Sequence, residues 1–285
     1  MSELSAEIAA KRDTLLELLH GLGSCAVAFS GGLDSTVLAK AAHLALGEKA
    51  VAFTATSPSM AVGELDAAKQ LARQIGIRHE VVETSELEVP GYRNNTADRC
   101  YHCKKEIITQ IKQLADRLNL AVIIDGVNRD DHGDHRPGIR AAMEKNVRGP
   151  LAECGFTKVE LRTLARHWDL PVWNKPATPC LSSRIAYGEQ ITAERLAMVG
   201  AAERFLREHG FQPLRVRYHR GDVARVEVSE ESLPRLLEPE LRRELIEELK
   251  SIGFKYVSLD LEGFRSGSLN DALPPESLRI LDKDR

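Results

Sequence analysis

Up to about residue 180, short apolar runs alternate with longer stretches in which apolar positions recur every third or fourth residue. Residues 26–29 are apolar throughout, which suits a strand buried on both faces, and beyond Asp34 the residues Val37, Leu38, Ala41 and Leu44 fall on one side of a helix. The pattern then predicts a strand over 50–55, a helix over 59–75, a strand over 80–83, a helix over 104–118 and a strongly apolar strand over 120–124. Strands separated by helices of that length are βαβ units, which build a parallel sheet flanked by helices. Ligands in such sheets sit at the carboxyl ends of the strands, so residues 30–35, 56–59 and 125–128 are expected along one edge. Near 176–183 the alternation stops. The remainder reads as a helix over 192–209, strands over 214–218 and 223–228, a helix over 239–252 and a strand over 255–259. We therefore expect an α/β chain of two domains, 1–184 and a small α+β unit at 185–285, without internal repeats.

A chain of 285 residues has ample material for such a core. Its net charge of −3 sets up no global field toward nucleic acid or an anionic membrane, and neither is an expected partner. No apolar run reaches membrane-spanning length. The first 20 residues mix charges with Leu4, Ile8, Leu15 and Leu19 at helical spacing, unlike the unbroken apolar core of a signal peptide. Five cysteines, an odd number, point to a reducing cytoplasm rather than a disulfide framework.

The candidate chemistry begins where the first strand ends, at Ser30-Gly31-Gly32-Leu33-Asp34-Ser35. Two glycines between a strand and a helix start make an anion cradle, because the first helical N–H groups have no partner within the helix. Ser30, Ser35 and Thr36 add hydroxyls. The lysine of G-x-x-x-x-G-K-[ST] is absent and Asp34 stands in the loop instead. The stretch resembles the PP-loop of the ATP pyrophosphatases, which cleave ATP between the α- and β-phosphates. Asp34 is expected near Mg²⁺ and the ATP phosphates, or as a cap of the helix, or both. Ser57 and Asp125, at neighbouring strand ends, are expected at the nucleotide.

Further stretches carry a more specific resemblance: Arg99-Cys100-Tyr101-His102-Cys103-Lys104, residues 125–131, Asp134-His135-Arg136-Pro137-Gly138, residues 175–188 around Cys180, Arg215-Val216-Arg217, and residues 260–270. Together they resemble the LarE family of ATP-dependent sulfur transferases, which help make the nickel-pincer nucleotide cofactor of lactate racemase. The resemblance implies a PP-loop fold, and ATP with Mg²⁺ to adenylylate a carboxylate of a pyridinium dicarboxylate mononucleotide. A cysteine at the position of Cys180 then supplies sulfur, with Arg184 holding its thiolate or binding a phosphate. Members with one sacrificial cysteine need no Cys-x-x-Cys pair. Cys100 and Cys103 depart from that pattern, and with Cys180 they offer three thiolates for a 4Fe–4S cluster that could carry external sulfide. Cys180 cannot serve both roles at once. Arg215 and Arg217 share one face of a strand, and the resemblance implies that they and Arg265 meet the substrate phosphate. Glu203, on the preceding helix, is a candidate metal ligand. The acidic and histidine positions 130–135 read better as a solvated loop than as a metal cluster. Cys25 reads as a core residue and Cys154 as structural. A homo-oligomer is expected, the C-terminal domain offering an assembly surface. Two other readings stay open: another PP-loop enzyme, such as a tRNA thiolase or an amide-forming synthetase, and a non-catalytic adenine-nucleotide-binding module.

Overall fold

The computed structural model describes residues 4–133, 137–176, 178–265 and 267–269. Asp134, His135 and Arg136, with Ser266 and Asn270 of the tail motif, lie outside them. Four parallel strands, β1 Cys25–Ala28, β2 Ala50–Thr56, β3 Arg78–Glu83 and β4 Val122–Ile124, lie in the order β3-β2-β1-β4. Cys25 pairs with Ala50 on one side and Val122 on the other. The helices are α1 Ala6–Gly21, α2 Leu33–Leu46, α3 Glu64–Ile75, α4 Pro90–Arg93, α5 Arg99–Arg117, α6 Pro137–Glu144, α7 Pro150–Glu153, α8 Lys158–His167, α9 Ala193–Glu208, α10 Leu233–Leu236 and α11 Pro239–Ile252.

Both faces of the sheet are covered, which is why its strands are apolar runs rather than alternating ones. On one face Leu15 and Leu19 of α1, Val37 and Leu38 of α2, and Leu161 and Leu164 of α8 share one core. On the other, Ile108 and Ile111 of α5 pack on Phe53, Val82 and Ile123. From β1 the chain winds outward to β2 and β3, and α5 then carries it back past β1 to β4. The winding direction reverses between β1 and β4, and the loops leaving those two strands frame the crevice where such sheets bind ligands.

The second sheet holds β5 Leu214–His219, β6 Val223–Val228 and β7 Tyr256–Leu259, with β5 antiparallel and β7 parallel to β6. Its core, built on α9 and α11, also takes in Leu181 and Ile185 and recruits Ala61 and Tyr92 from the first region. Residues 181–191 are thus stapled to both units: Leu181 N–H donates to Ser59 O (2.8 Å), Ala186 N–H to Tyr218 O (3.0 Å) and Ile191 N–H to Arg93 O (2.9 Å).

Two helix starts differ from expectation. α3 begins at Glu64, not 59, because Ser59 is drawn into a polar cluster and Gly63 turns left-handed (φ 85°) just before the helix. α5 begins five residues early, at Arg99, which places Cys100 and Cys103 on its first turns. The helix α8 was not anticipated, although Thr157 and Glu160 form the capping box that announces it. No helix among the described residues is long and apolar enough to cross a membrane.

Candidate active site

After β1 the loop folds on its own hydroxyls. Ser30 N–H donates to Ser35 Oγ (3.2 Å), Gly32 N–H to Ser30 Oγ (3.3 Å) and Ser35 Oγ–H to Gly32 O (3.2 Å). Gly31 is left-handed (φ 70°), and a Cβ there would stand 3.3 Å from Ala68 of α3. The N-cap of α2, Gly32, provides no side-chain cap, so the first-turn N–H groups stay available to an anion. Opposite, β4 ends in Asp125-Gly126, and a Cβ on Gly126 would lie 2.8 Å from Ser35 N and 3.2 Å from Asp34 Cβ. Only glycine lets the two loops approach so closely.

The resulting cleft of about 380 Å³ is lined by Phe29, Ser30, Gly32, Asp34, Ser35 and Asp125 among others. Thr36 is wholly buried behind the loop, and Ser57 turns away to donate to the buried carboxylate of Glu86, beside Ser59. Neither lines the cleft. Asp34 is not the helix cap: one carboxylate oxygen pairs with Lys158, and the other, Oδ1, is buried without a hydrogen-bond partner. Asp125 Oδ2 is likewise buried without an aligned donor, though Lys104 Nζ is 3.1 Å away. Two under-satisfied carboxylates at an anion cradle fit a hard divalent cation such as Mg²⁺. Lys175 reaches the loop from another side, 2.8 Å from Glu64 and 3.4 Å from the Gly31 carbonyl. Lys104, Lys158 and Lys175 escaped the sequence reading. Lys104 and Lys175 stand within the two cysteine motifs, which was the available signal.

Cys180 is exposed at the start of the short turn Leu181–Arg184. Arg184 does not reach its thiol. Fully buried, Arg184 pairs with Glu203 (2.8 Å) and donates to the carbonyls of Pro179 (2.6 Å) and Cys180 (2.8 Å). It fixes the backbone on which the sulfur rides, and its guanidinium is taken up by protein oxygens. Glu203 is no metal ligand either, since its oxygens already accept from Arg184, from Arg207 (2.5 Å) and from Val216 N–H (3.2 Å).

Cys100 and Cys180 both lie close enough to Cys103 to act on its charge. Burial first, then Cys180, Glu86 and Cys100, push the Cys103 thiol pKa well up. The donor chemistry suits an iron–sulfur cluster, but among the described residues no group of three Cys, His, Asp or Glu is placed to hold a metal ion. As they stand the thiols are neighbours, not a cage. Cys25 is a core residue, its thiol pushed up to about 12 by burial, and Cys154 is half-buried.

Beside Cys180, Arg99, Arg215, Arg217, Tyr187 and Phe264 line a cavity of about 200 Å³. Arg217 is neutralised by a two-pronged pair with Glu227 (3.0 and 2.8 Å). Burial, and then the charge of Arg184, push Arg215 down to about 10. Arg265 is not brought to this cavity. It pairs with Glu262 and lines a separate groove with His219 and Arg225.

Comparison with known proteins bears on the fold and the family. The asparagine synthase family pattern matches residues 13–109, from α1 through the cradle into α5. The chain is 45% identical over 92% of its length to an uncharacterized protein of Synechocystis, covering 98% of it. It is 38% identical over 96% of its length, and 98% of the relative, to the pyridinium-3,5-bisthiocarboxylic acid mononucleotide synthase of Lactiplantibacillus plantarum. The chain belongs to the LarE family. A subunit of GMP synthase from Thermococcus kodakarensis is more remote, 26% identical over 66% of this chain and 65% of the relative. The LarE family places the protein among ATP-dependent enzymes with a PP-loop domain, and the parallel four-stranded sheet carries that domain.

Proposed function

We propose that the protein is an ATP-dependent sulfur transferase that converts a carboxylate of a pyridinium dicarboxylate mononucleotide to a thiocarboxylate, on the way to a nickel-pincer cofactor. The observation that carries this is the position of Cys180. Its exposed segment borders the arginine cavity through Pro179 and Ser183. Through Leu181 it is bonded to Ser59, next to Met60 in the wall of the nucleotide cleft.

The cradle, with Lys104, Lys158 and Lys175, holds the triphosphate. A substrate carboxylate oxygen attacks the α-phosphorus, and pyrophosphate leaves with the bonding electrons of the α–β bridge. Mg²⁺, held by Asp34 and Asp125, would neutralise charge on the phosphates. The Cys180 thiolate then attacks the acyl carbon and expels AMP, leaving a thioester. Removal of the Cα proton and cleavage of Cβ–S release the thiocarboxylate and leave dehydroalanine at 180. A second reading of the sulfur source is favoured by the proximity of Cys100 and Cys180 to Cys103. A cluster on those thiolates would let inorganic sulfide be the donor and spare the protein. The enzyme is proposed to work in the cytoplasm as a homo-oligomer, in keeping with its five free cysteines.

The test is pyrophosphate release from ATP, which should depend on the carboxylated nucleotide and ignore tRNA. Cys180→Ala should keep that release yet lose thiocarboxylate formation by roughly 10⁴-fold or more. Intact-protein mass spectrometry after turnover separates the donors. Loss of one H₂S from Cys180 in iron-free protein marks sacrifice, whereas an unchanged Cys180 after several turnovers marks external sulfide. Pyrophosphate release indifferent to the nucleotide would refute the proposal.

A further inference from the structure

We infer that Arg99 binds the substrate carboxylate that is not being activated, and so selects a ring carrying two carboxylates over a ring carrying one. This rests on the substrate class proposed above. Arg99 opens α5, is only 8% exposed and lines the cavity beside Cys180. Its Nη1 donates to Asn95 Oδ1 and to Ser182 O (3.1 Å), two residues beyond Cys180. Its guanidinium carbon lies 5.2 Å from the centre of the Tyr187 ring. Asn95 in turn donates to the carbonyls of Ile185 (3.1 Å) and Ala186 (2.8 Å). Arg99 is therefore locked to both ends of the turn that carries the sulfur.

Of the three arginines in the cavity, only Arg217 has its charge cancelled. Among the described residues no carboxylate lies within ion-pair distance of Arg99 or Arg215. A nearly buried guanidinium, Arg99, and a half-buried one, Arg215, share this cavity without a carboxylate partner, and together they call for two anions from a ligand. They are set apart by their surroundings, because Arg215 lies by Phe264 (5.1 Å) on β5 while Arg99 is bonded to the cysteine turn. A mononucleotide of a dicarboxylated ring has a phosphate one ribose away from its ring. With that phosphate at Arg215, the anion at the sulfur end is a ring carboxylate. The carboxylate under activation becomes an ester and gives up its charge, so the lasting partner of Arg99 is the other one. A planar guanidinium meets a carboxylate through two parallel hydrogen bonds, and Arg99 has only Nη1 committed to protein oxygens.

The experiment is calorimetric binding of pyridinium-3,5-dicarboxylate mononucleotide and of its 3-monocarboxylate counterpart to the full-length protein, with melting curves as a check of folding. The unaltered protein should prefer the dicarboxylate. Arg99→Gln should weaken the dicarboxylate on the order of 10- to 100-fold and leave the monocarboxylate nearly unchanged. Arg99→Lys, which keeps the charge without the fork, should fold normally and lose part of the preference. Equal weakening of both nucleotides, as for a phosphate contact or a purely structural arginine, overturns the inference alone, as does no weakening at all. Failure of the unaltered protein to bind either nucleotide overturns the proposed substrate and the inference with it.

Discussion

In the nucleotide cradle, consecutive residues 30–35 supply the turn, the hydroxyls and the open helix N-terminus, while around Cys180 the holding groups come from positions 59, 95, 99, 184 and 203. The cradle is built from backbone geometry and short hydrogen-bonded loops. Its charges are lysine–carboxylate pairs only partly buried, and a nucleotide can rearrange them. The cysteine turn hangs instead on a wholly buried arginine–glutamate pair whose every oxygen is in use. The difference is one of exchangeability. One region's ion pairs lie within reach of solvent and of a ligand, and the other's are sealed beneath the turn that carries Cys180.

Glu203→Gln tests the cysteine turn most severely, because it leaves the buried Arg184 without its counter-charge. Denaturant unfolding should show a loss of about 3–5 kcal/mol. A combined Arg184→Met, Glu203→Leu variant should recover much of that stability but not thiocarboxylate formation. A small loss in the single variant would mean the turn is held no more firmly than the cradle. Gly126→Ala strikes the cradle through steric pressure on Ser35 and Asp34. The Kd for ATP should rise by roughly 100-fold while the reactivity of Cys180 toward an alkylating probe stays the same. Weakened ATP binding together with an altered thiol would show the two regions to be one mechanical unit.

The smallest effect concerns acid. Burial first, then nearby cations, hold His79 and His219 below the ordinary histidine pKa. The fold therefore favours the neutral form of each, and the stability this represents is present above about pH 6.5 and is lost as pH falls toward their depressed values. His79 meets Thr54 Oγ1 at 2.7 Å, and that hydroxyl donates to Phe29 O just before the cradle. His219 belongs to β5, in the second sheet. Melting midpoints between pH 7.5 and 5 should fall, and His79→Gln should flatten the fall attributable to the cradle side alone.

Much of this was legible in the chain. The apolar runs located the strands of the first sheet to within a few residues, and the helix 239–252 and strand 223–228 were read to their ends. Boundaries failed where a tertiary contact intervened, as at Ser59, whose hydroxyl is drawn to Glu86 and whose carbonyl holds Leu181. The cradle residues were readable because their chemistry is local: glycines that permit a turn, and hydroxyls a few positions from the N–H groups they meet. The roles expected for Arg184 and Glu203 differ from what the two side chains touch, since a sequence shows that an arginine is present but not whether its charge is already cancelled.

By itself the sequence determined the parallel sheet, the anion cradle and the family, because periodicity and loop chemistry act over distances of a few residues. Only the tertiary structure decided which charges remain free. Arg217 is spent on Glu227 and Arg184 on Glu203, while Arg99 and Arg215 are left facing a cavity. Pairing of buried charges depends on side chains far apart in the chain meeting within about 4 Å, and no local pattern encodes that meeting.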